Sequence, residues 1–209
     1  AGMMQAAERP PHDEVIFVGR SNVGKSTIMR GLTGSDRFQT GRKPGVTRGP
    51  AHYTHPQHDF MFTDLPGFGF LSGVAHEQQE AILTALVGYL ESHADAILAA
   101  VLVLDANAAV EIIDRHADRG DLPHTIELYE FLNDLGVFVI LAINKCDKLE
   151  DRDARVDTIA DRFGLPPPWQ QWQDQIAPIA AAHGDLGALR GALDDRFVAL
   201  RREPLRQYV

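Results

Sequence analysis

The sequence predicts an α/β fold built on a mostly parallel sheet. Short apolar runs rich in β-branched residues alternate with longer stretches whose apolar residues recur at helical spacing, an alternation typical of parallel sheets. Several of these runs end directly in Gly, Asp or Asn, at the carboxyl ends of strands where α/β proteins bind their ligands. We find no internal repeat and no low-complexity segment.

Length and composition suit one domain. The chain has 209 residues, 44% of them hydrophobic and 23% charged, which is enough for a full-sized core. We expect a flexible lead at residues 1–12, one folded domain over 13–200 and a loose basic tail at 201–209. No stretch approaches the length of a membrane span, no signal-peptide core precedes the domain, and the single Cys146 cannot form an internal disulfide. These features predict a cytoplasmic monomer with no membrane partner.

Charge is unevenly distributed along the chain. The net charge is −9, yet residues 1–60 carry eight Lys and Arg against five Asp and Glu. The basic excess concentrates between Arg37 and Arg48, around Arg42 and Lys43. A basic patch on an acidic protein is a candidate RNA contact, and a solvated loop that helps to hold phosphates is an equally open alternative.

The first strand, residues 14–18, runs into a glycine-rich loop. Residues 19–27 (GRSNVGKST) fit G-x-x-x-x-G-K-[ST] at every fixed position, between a strand and the start of a helix. Gly19 and Gly24 let backbone N–H groups approach phosphate oxygens. Lys25 supplies a cation for the β- and γ-phosphates, and the hydroxyl of the next residue, a serine, is a ligand for Mg²⁺. The alternative, a glycine turn followed by a chance Lys-Ser pair, leaves the later motifs unexplained.

A second site follows the next two strands. The glycines and prolines of residues 35–50 predict a long loop of the kind that is often functional, and residues 51–63 predict two strands joined near Pro56. The second strand ends in the sequence DLPG, in which the Asp64 carboxylate can hold Mg²⁺ through a water and the Gly67 amide can face the γ-phosphate. The glycines that follow let this segment order and relax with that phosphate.

Helices and strands alternate through the rest of the chain. Helical spacing predicts helices over residues 77–92, 109–119, 125–135, 150–163 and 185–201, and apolar runs predict strands over 97–104, 137–143 and 175–179.

The strand ending at residue 143 runs into Asn144-Lys145-Cys146-Asp147. N-K-x-D in this setting is a guanine-reading motif, because the Asp147 carboxylate can accept hydrogen bonds from the ring N–H and the exocyclic amine of guanine. Adenine lacks that donor pair. Asn144 can brace the loop and touch the base, and the stem of Lys145 can lie over the ring.

Histidines and tryptophans offer two further sites that we do not favour. His52, His55 and His58 are spaced by three, which sends neighbours on a strand to opposite faces, so we expect surface histidines rather than a metal site. Trp169 and Trp172 follow three prolines, and we expect them to cover an edge of the core rather than to form a partner surface.

Together these motifs resemble those of translation-factor-class GTPases and, more narrowly, of the EngB (YihA-type) ribosome-biogenesis GTPases in their archaeal form. The resemblance spans about residues 13–200. It rests on residues 19–27, Pro44-Gly45-Val46-Thr47, residues 64–70 (DLPGFGF) and 144–147, and its archaeal character on residues 111–115 (EIIDR) and 169–172 (WQQW).

The resemblance implies a P-loop NTPase three-layer sandwich, Ras-like, with six predominantly parallel strands and helices on both faces. It implies a GTP-binding domain over 13–200, Mg²⁺-dependent GTP binding and hydrolysis to GDP, and a switch role in assembly of the large ribosomal subunit. The partner would be a ribosomal subunit or its RNA, reached through Arg37–Arg48, and no DNA is expected.

The resemblance also implies three sets of site residues. Thr47 would be the first-switch threonine, so that Lys25, Thr47 and Gly67 form the catalytic set, and Ser26, Thr47 and Asp64 the metal set. The nucleotide-binding set is Gly19, Arg20, Ser21, Asn22, Val23, Gly24, Lys25, Ser26, Thr27, Pro44, Gly45, Val46, Thr47, Asp64, Gly67, Asn144, Lys145, Asp147, Ala180 and Ala181.

Two departures and one asparagine affect the expected chemistry. Ala180-Ala181 replaces the usual Ser-Ala, so a backbone N–H can still reach the guanine oxygen but a bracing hydroxyl is lost. Phe68 stands where Ras-like enzymes have a water-orienting Gln, which predicts slow hydrolysis unless a partner or a cation supplies a missing group worth ~10³–10⁵ in rate. Asn22 has the position that ligates K⁺ in related K⁺-activated GTPases, and bracing of the loop is an equally open role.

Three function classes therefore remain open. The leading one is a GTPase switch in ribosome assembly. The second is a guanine-nucleotide-binding interaction module with little or no hydrolysis, which Phe68 and Ala180-Ala181 favour. The third is a P-loop ATPase or kinase, which the N-K-x-D motif disfavours.

Overall fold

The chain folds around a six-stranded sheet. A computed structural model describes residues 13–34, 49–54, 59–67, 76–120, 122–203 and 205. The strands are β1 (Asp13–Gly19), β2 (Ala51–Thr54), β3 (Phe60–Asp64), β4 (Ile97–Asp105), β5 (Val139–Asn144) and β6 (Ile176–Pro178). The helices are α1 (Lys25–Thr33), α2 (His76–His93), α3 (Ala109–Ala117), α4 (His124–Asp134), α5 (Arg152–Arg162) and α6 (Gly187–Ala199).

The strand order is β2-β3-β1-β4-β5-β6, and every neighbouring pair is parallel except β2 with β3. The carboxyl ends of β1, β3, β4, β5 and β6 therefore meet at one edge of the sheet. In this register Phe17 is opposite Asp64, and Asp105 is opposite Asn144. The order brings the three sequence motifs to the same edge.

Helices cover both faces of the sheet. Side chains along β1 alternate, so that Val15 and Phe17 pack with α1 and α6, whereas Ile16 and Val18 pack with α2 to α5. The result is a three-layer sandwich, which confirms the predicted α/β P-loop fold with six mostly parallel strands. None of the helices in the described ranges is long and apolar enough to cross a membrane.

The carboxyl-terminal segment differs from the prediction. Leu205 is only 9% exposed and packs in the apolar cluster with α6, and its N–H donates to Asp194 Oδ1 (2.6 Å). Arg202 forms ion pairs with Asp13 and with Asp59. The expectation of a loose tail therefore does not hold for Arg202 and Leu205, because Asp13, Asp59 and Asp194 hold a segment that has no helical spacing of its own.

Smaller predictions had mixed outcomes. Val87 shares the apolar helical spacing of residues 77–92 but is 40% exposed, whereas Leu86 and Leu90 are buried. Trp169 and Trp172 are half-buried against the core, as predicted. His52 is exposed, as predicted, whereas His55 and His58 lie outside the described residues.

Candidate functional site

Two glycines let other groups approach the loop between β1 and α1. Gly19 has a φ of +151°, and a Cβ there would lie 2.6 Å from the carbonyl oxygen of Val103 on β4. Gly24 has a φ of +102°, and a Cβ there would lie 2.3 Å from Nδ2 of Asn144. Gly24 is also the N-cap of α1 and brings no side chain to the cap, so the N–H groups of the first turn can bind an anion.

Lys25 folds back over this loop. Its Nζ donates to the carbonyl oxygens of Gly19 (3.2 Å) and Arg20 (3.5 Å). Burial lowers the pKa of Lys25, and the charge of Asp64 partly opposes that shift. The ammonium group therefore lies over the loop, where the charge of Asp64 at the end of β3 acts on it.

Asp64 and Gly67 reach the same place from β3. Asp64 is paired with Phe17 across the sheet. A Cβ on Gly67 would lie 3.0 Å from Ser21 Oγ and 3.4 Å from Lys25 Nζ, so a larger residue would press on the loop. The motif that follows β3 is thus in contact with the motif that follows β1.

Asn144 joins two loops from inside the protein. It is 3% exposed, its Nδ2 donates to the carbonyl oxygen of Val23 (2.9 Å), and its Oδ1 accepts from the N–H of Ala181 (3.1 Å). The N–H of Ala180 donates to the carbonyl of Asp185 (3.0 Å). Both N–H groups that were candidates for the guanine oxygen therefore have acceptors within the protein, and a guanine oxygen would share one of these two donors with its present acceptor.

Lys145 is held by two oxygens. Its backbone has a φ of +70°, and its Nζ donates to Asp105 Oδ2 (2.5 Å) and to the carbonyl oxygen of Asn22 (3.1 Å). Burial alone would raise the pKa of Asp105, but hydrogen bonds from Lys145 and Asn107 lower it overall, so the carboxylate is ionised at neutral pH. Sequence reasoning missed Asp105, although an acid ending the strand next to β5 was a usable signal.

His183 is a second residue that sequence reasoning missed. It belongs to a short 3₁₀ helix after β6, and its Nε2 lies 3.2 Å from Asp147 Oδ2. Asp147, which follows β5, therefore lies beside the loop that contains Ala181. No spacing in the sequence connects these two residues, which are brought together only by the parallel pairing of β5 and β6.

The remaining predicted residues divide into two groups. Arg20 to Thr27 all lie in the β1–α1 loop or the first turn of α1. The predicted residues that lie outside the described part of the chain are Pro44, Gly45, Val46, Thr47, Phe68 and the basic residues from Arg37 to Arg48.

These features define a GTPase domain of the P-loop class. At one edge of a mostly parallel sheet they combine a glycine-rich phosphate-binding loop, an Asp-x-x-Gly turn and an Asn-Lys-x-Asp loop. The comparison with family models agrees, because the family described as "50S ribosome-binding GTPase" matches residues 14–145. The chain belongs to the EngB family of GTP-binding proteins, which confirms the resemblance found in the sequence.

Relatives and solved structures support the family assignment. The chain is 59% identical over 203 residues to "Probable GTP-binding protein EngB" of Halorubrum lacusprofundi, covering 97% of this chain and 98% of that protein. It is 43% identical over 206 residues to the protein of the same name in Methanosarcina barkeri, covering 98% and 97%. A crystal structure of a probable GTP-binding protein engB has a TM-score of 0.79 and 37% identity, covering 89% of this chain and 99% of that one.

A more distant likeness concerns the fold alone. Era, crystallised with MgGDPNP and nucleotides 1506–1542 of 16S ribosomal RNA, has a TM-score of 0.62 and 22% identity, covering 95% of this chain and 59% of that one.

Proposed function

We propose that this GTPase is a guanine-nucleotide switch that binds GTP and GDP with Mg²⁺, hydrolyses GTP slowly unaided, and acts in assembly of the large ribosomal subunit. The observation that carries the proposal is the pair of Asn144 hydrogen bonds. They link the loop proposed to hold phosphates to the loop beside Asp147, so one ligand can contact both. The proposed G domain spans residues 13–200, with 1–12 as a lead.

The residues at this edge fit a Mg²⁺ ion. Ser26 and Asp64 offer a hydroxyl and a carboxylate, the hard oxygen ligands that Mg²⁺ prefers, and Thr47 is the third proposed ligand. The charge of Asp64 opposes the lowering of the Lys25 pKa by burial, which supports a shared role of this carboxylate and the ammonium group at the same phosphates. Bound Mg²⁺ neutralises phosphate charge, while Lys25, Thr47 and the Gly67 amide bind and orient the γ-phosphate.

Asp147 is proposed to read the base, with Asn144 and Lys145 beside it and the Ala181 N–H near the guanine oxygen. Replacing Asp147 by Asn removes the acceptor pair that matches guanine, so preference should move from GDP towards XDP. Asp151→Asn is the matched control, because Asp151 caps α5 through the N–H of Ala154. Unchanged GDP affinity in the Asp147→Asn protein would mean that the base is read elsewhere.

Slow hydrolysis and the ribosomal partner are tested together. Phe68 cannot orient water, and the matching family model carries the description "50S ribosome-binding GTPase". We expect single-turnover GTP hydrolysis to accelerate when large ribosomal subunits are added, and Arg42→Ala with Lys43→Ala to weaken that effect. A protein that binds GTP but hydrolyses none with or without subunits would support the alternative of an interaction module.

A potassium ion held by Asn22 remains a proposal. The carbonyl oxygen of Asn22 accepts from Lys145, which favours the bracing role for its main chain. Equal turnover in Na⁺ and K⁺ at matched ionic strength would reject the potassium site.

A further inference from the structure

A glutamate is completely buried near the start of β1. Glu14 is 0% exposed, and the pairing of β1 with β4 shifts register between Glu14 and Val15. Its side chain enters the apolar layer that contains Leu86 and Leu90 of α2. Burying a carboxylate is costly unless hydrogen bonds or charges compensate, so this residue needs a reason of its own.

Two hydroxyl groups from different elements converge on one oxygen of this glutamate. Glu14 Oε2 accepts from Thr63 Oγ1 on β3 (2.5 Å) and from the Tyr89 hydroxyl on α2 (2.7 Å). Burial, together with the hydrogen bond to Glu14 and its charge, raises the pKa of Tyr89, so the phenol stays a donor. Among the described residues, Glu14 Oε1 has no hydrogen-bond partner.

Two histidines extend the cluster. His52 Nδ1 on β2 lies 3.0 Å from Thr63 Oγ1, and the ring of His93 stacks on Tyr89 at 4.0 Å between centroids. His93 is 2% exposed, and its Nδ1 lies 2.8 Å from the carbonyl oxygen of Tyr89. The cluster therefore joins β1, β2, β3 and α2 through side-chain contacts.

The elements that meet here flank the segments proposed to respond to the γ-phosphate. β2 follows the segment of Thr47, Thr63 immediately precedes Asp64, and α2 follows the glycine-rich segment after Gly67. Pro50 and Pro66, which border those segments, line a small cavity that Tyr89 also lines. β1 itself continues into the phosphate loop.

We propose that Glu14 is a positioning residue that couples α2 to the nucleotide state through Thr63 and Tyr89. It acts through these two hydroxyls and touches no nucleotide. Thr63 is next to Asp64 in the chain. A shift of β3 towards the γ-phosphate therefore moves the Thr63 hydroxyl that donates to Glu14, and α2 follows through the hydrogen bond between Glu14 and Tyr89. The inference rests on the proposed function as a guanine-nucleotide switch.

The test compares affinities for GDP and for a non-hydrolysable GTP analogue in full-length protein with Mg²⁺. Glu14→Gln keeps the size of the side chain but removes the charge that strengthens both hydrogen bonds, and Tyr89→Phe removes one hydroxyl. We expect GDP affinity to stay within about twofold while the ratio of the two affinities changes at least about fivefold. Combining the two variants should add little, because both break one network.

The control is Phe163→Leu, which shrinks a buried side chain on the same face of the sheet without touching the network. It should lower the melting temperature and leave the affinity ratio unchanged. An unchanged ratio in folded Glu14→Gln and Tyr89→Phe would overturn the inference. So would an equal loss of both affinities that merely tracks the melting temperature. Wild-type protein that binds no guanine nucleotide would overturn the proposed function and this inference with it.

Discussion

At the scale of single residues, the position of Lys145 depends on a carboxylate 40 residues away in sequence. The ion pair with Asp105 is 2.5 Å long, and the side chains of Lys145 and Asp105 are 30% and 21% exposed. Without Asp105, the carbonyl oxygen of Asn22 would be the one remaining acceptor for the ammonium group within the described part of the chain. The Lys145 stem, which we propose to lie over guanine, would then lose much of its fixed geometry.

Asp105→Asn should therefore weaken GDP binding about three- to tenfold, roughly 1 kcal/mol, the usual size of coupling between contacting residues. A double-mutant cycle with Lys145→Met, followed by equilibrium titration of GDP, measures the coupling free energy between Asp105 and Lys145. The double variant should bind no worse than Lys145→Met alone. Glu111→Gln is the control, because Glu111 pairs with Arg155 instead of Lys145. Strictly additive losses would mean that Asp105 does not act through Lys145.

At the scale of elements, α5 is tied to α3 by charge. Arg162 donates through Nε and Nη2 to both oxygens of Asp114 (2.7 and 3.2 Å), and Arg155 pairs with Glu111 (2.6 Å). The hydrogen bond from Arg162 lowers the pKa of Asp114, and that from Arg155 lowers the pKa of Glu111. Arg155 also donates to the carbonyl of Ala106, so the same arginine holds the chain just after β4.

A lowered carboxyl pKa gives a definite pH dependence. The stabilisation is fully present above the pKa of the unfolded chain, about 4, and is lost as pH falls through the lower folded value. Asp114→Asn should thus lower the melting temperature at pH 7 and low salt, by an amount that shrinks at pH 3 and in 1 M KCl. Glu130→Gln is the control, because Glu130 is an exposed residue on α4. A difference that is the same at every pH would show that the ion pair contributes nothing.

Sequence patterns predicted what is local in this fold. The motifs after β1, β3 and β5 follow directly from strands that apolar runs reveal, and the sheet brings them together as expected. Contacts between distant segments were not predictable, because no periodicity links Glu14 to Tyr89 or Lys145 to Asp105. The burial of Leu205 was not predictable for the same reason, since it depends on an apolar surface formed by α6.

At the scale of the whole molecule, negative charge exceeds positive charge. The net charge is −9, and residues 61–209 carry 24 Asp and Glu against 12 Lys and Arg. Such an excess makes the folded chain repel itself, and salt screens that repulsion. The ion pairs between α3 and α5 are weakened by the same screening, but acids outnumber bases by 24 to 12 over residues 61–209.

The melting temperature should accordingly rise between about 0.1 and 1 M KCl, as the screening length falls from about 10 to 3 Å. Thermal unfolding followed by circular dichroism measures this directly. NaCl at equal ionic strength is the control that separates screening from a specific effect of K⁺. A melting temperature that falls with either salt would mean that attractive pairs outweigh the repulsion.

The measurement that tests the central claim most directly is equilibrium binding of fluorescent GDP and ADP analogues to the purified protein with Mg²⁺. We expect GDP to bind at least ~100-fold more tightly than ADP, because the two carboxylate oxygens of Asp147 match the ring N–H and the exocyclic amine of guanine, a donor pair that adenine lacks. Equal affinity for the two would contradict guanine reading by Asp147, and absence of binding by either would contradict the whole proposed site.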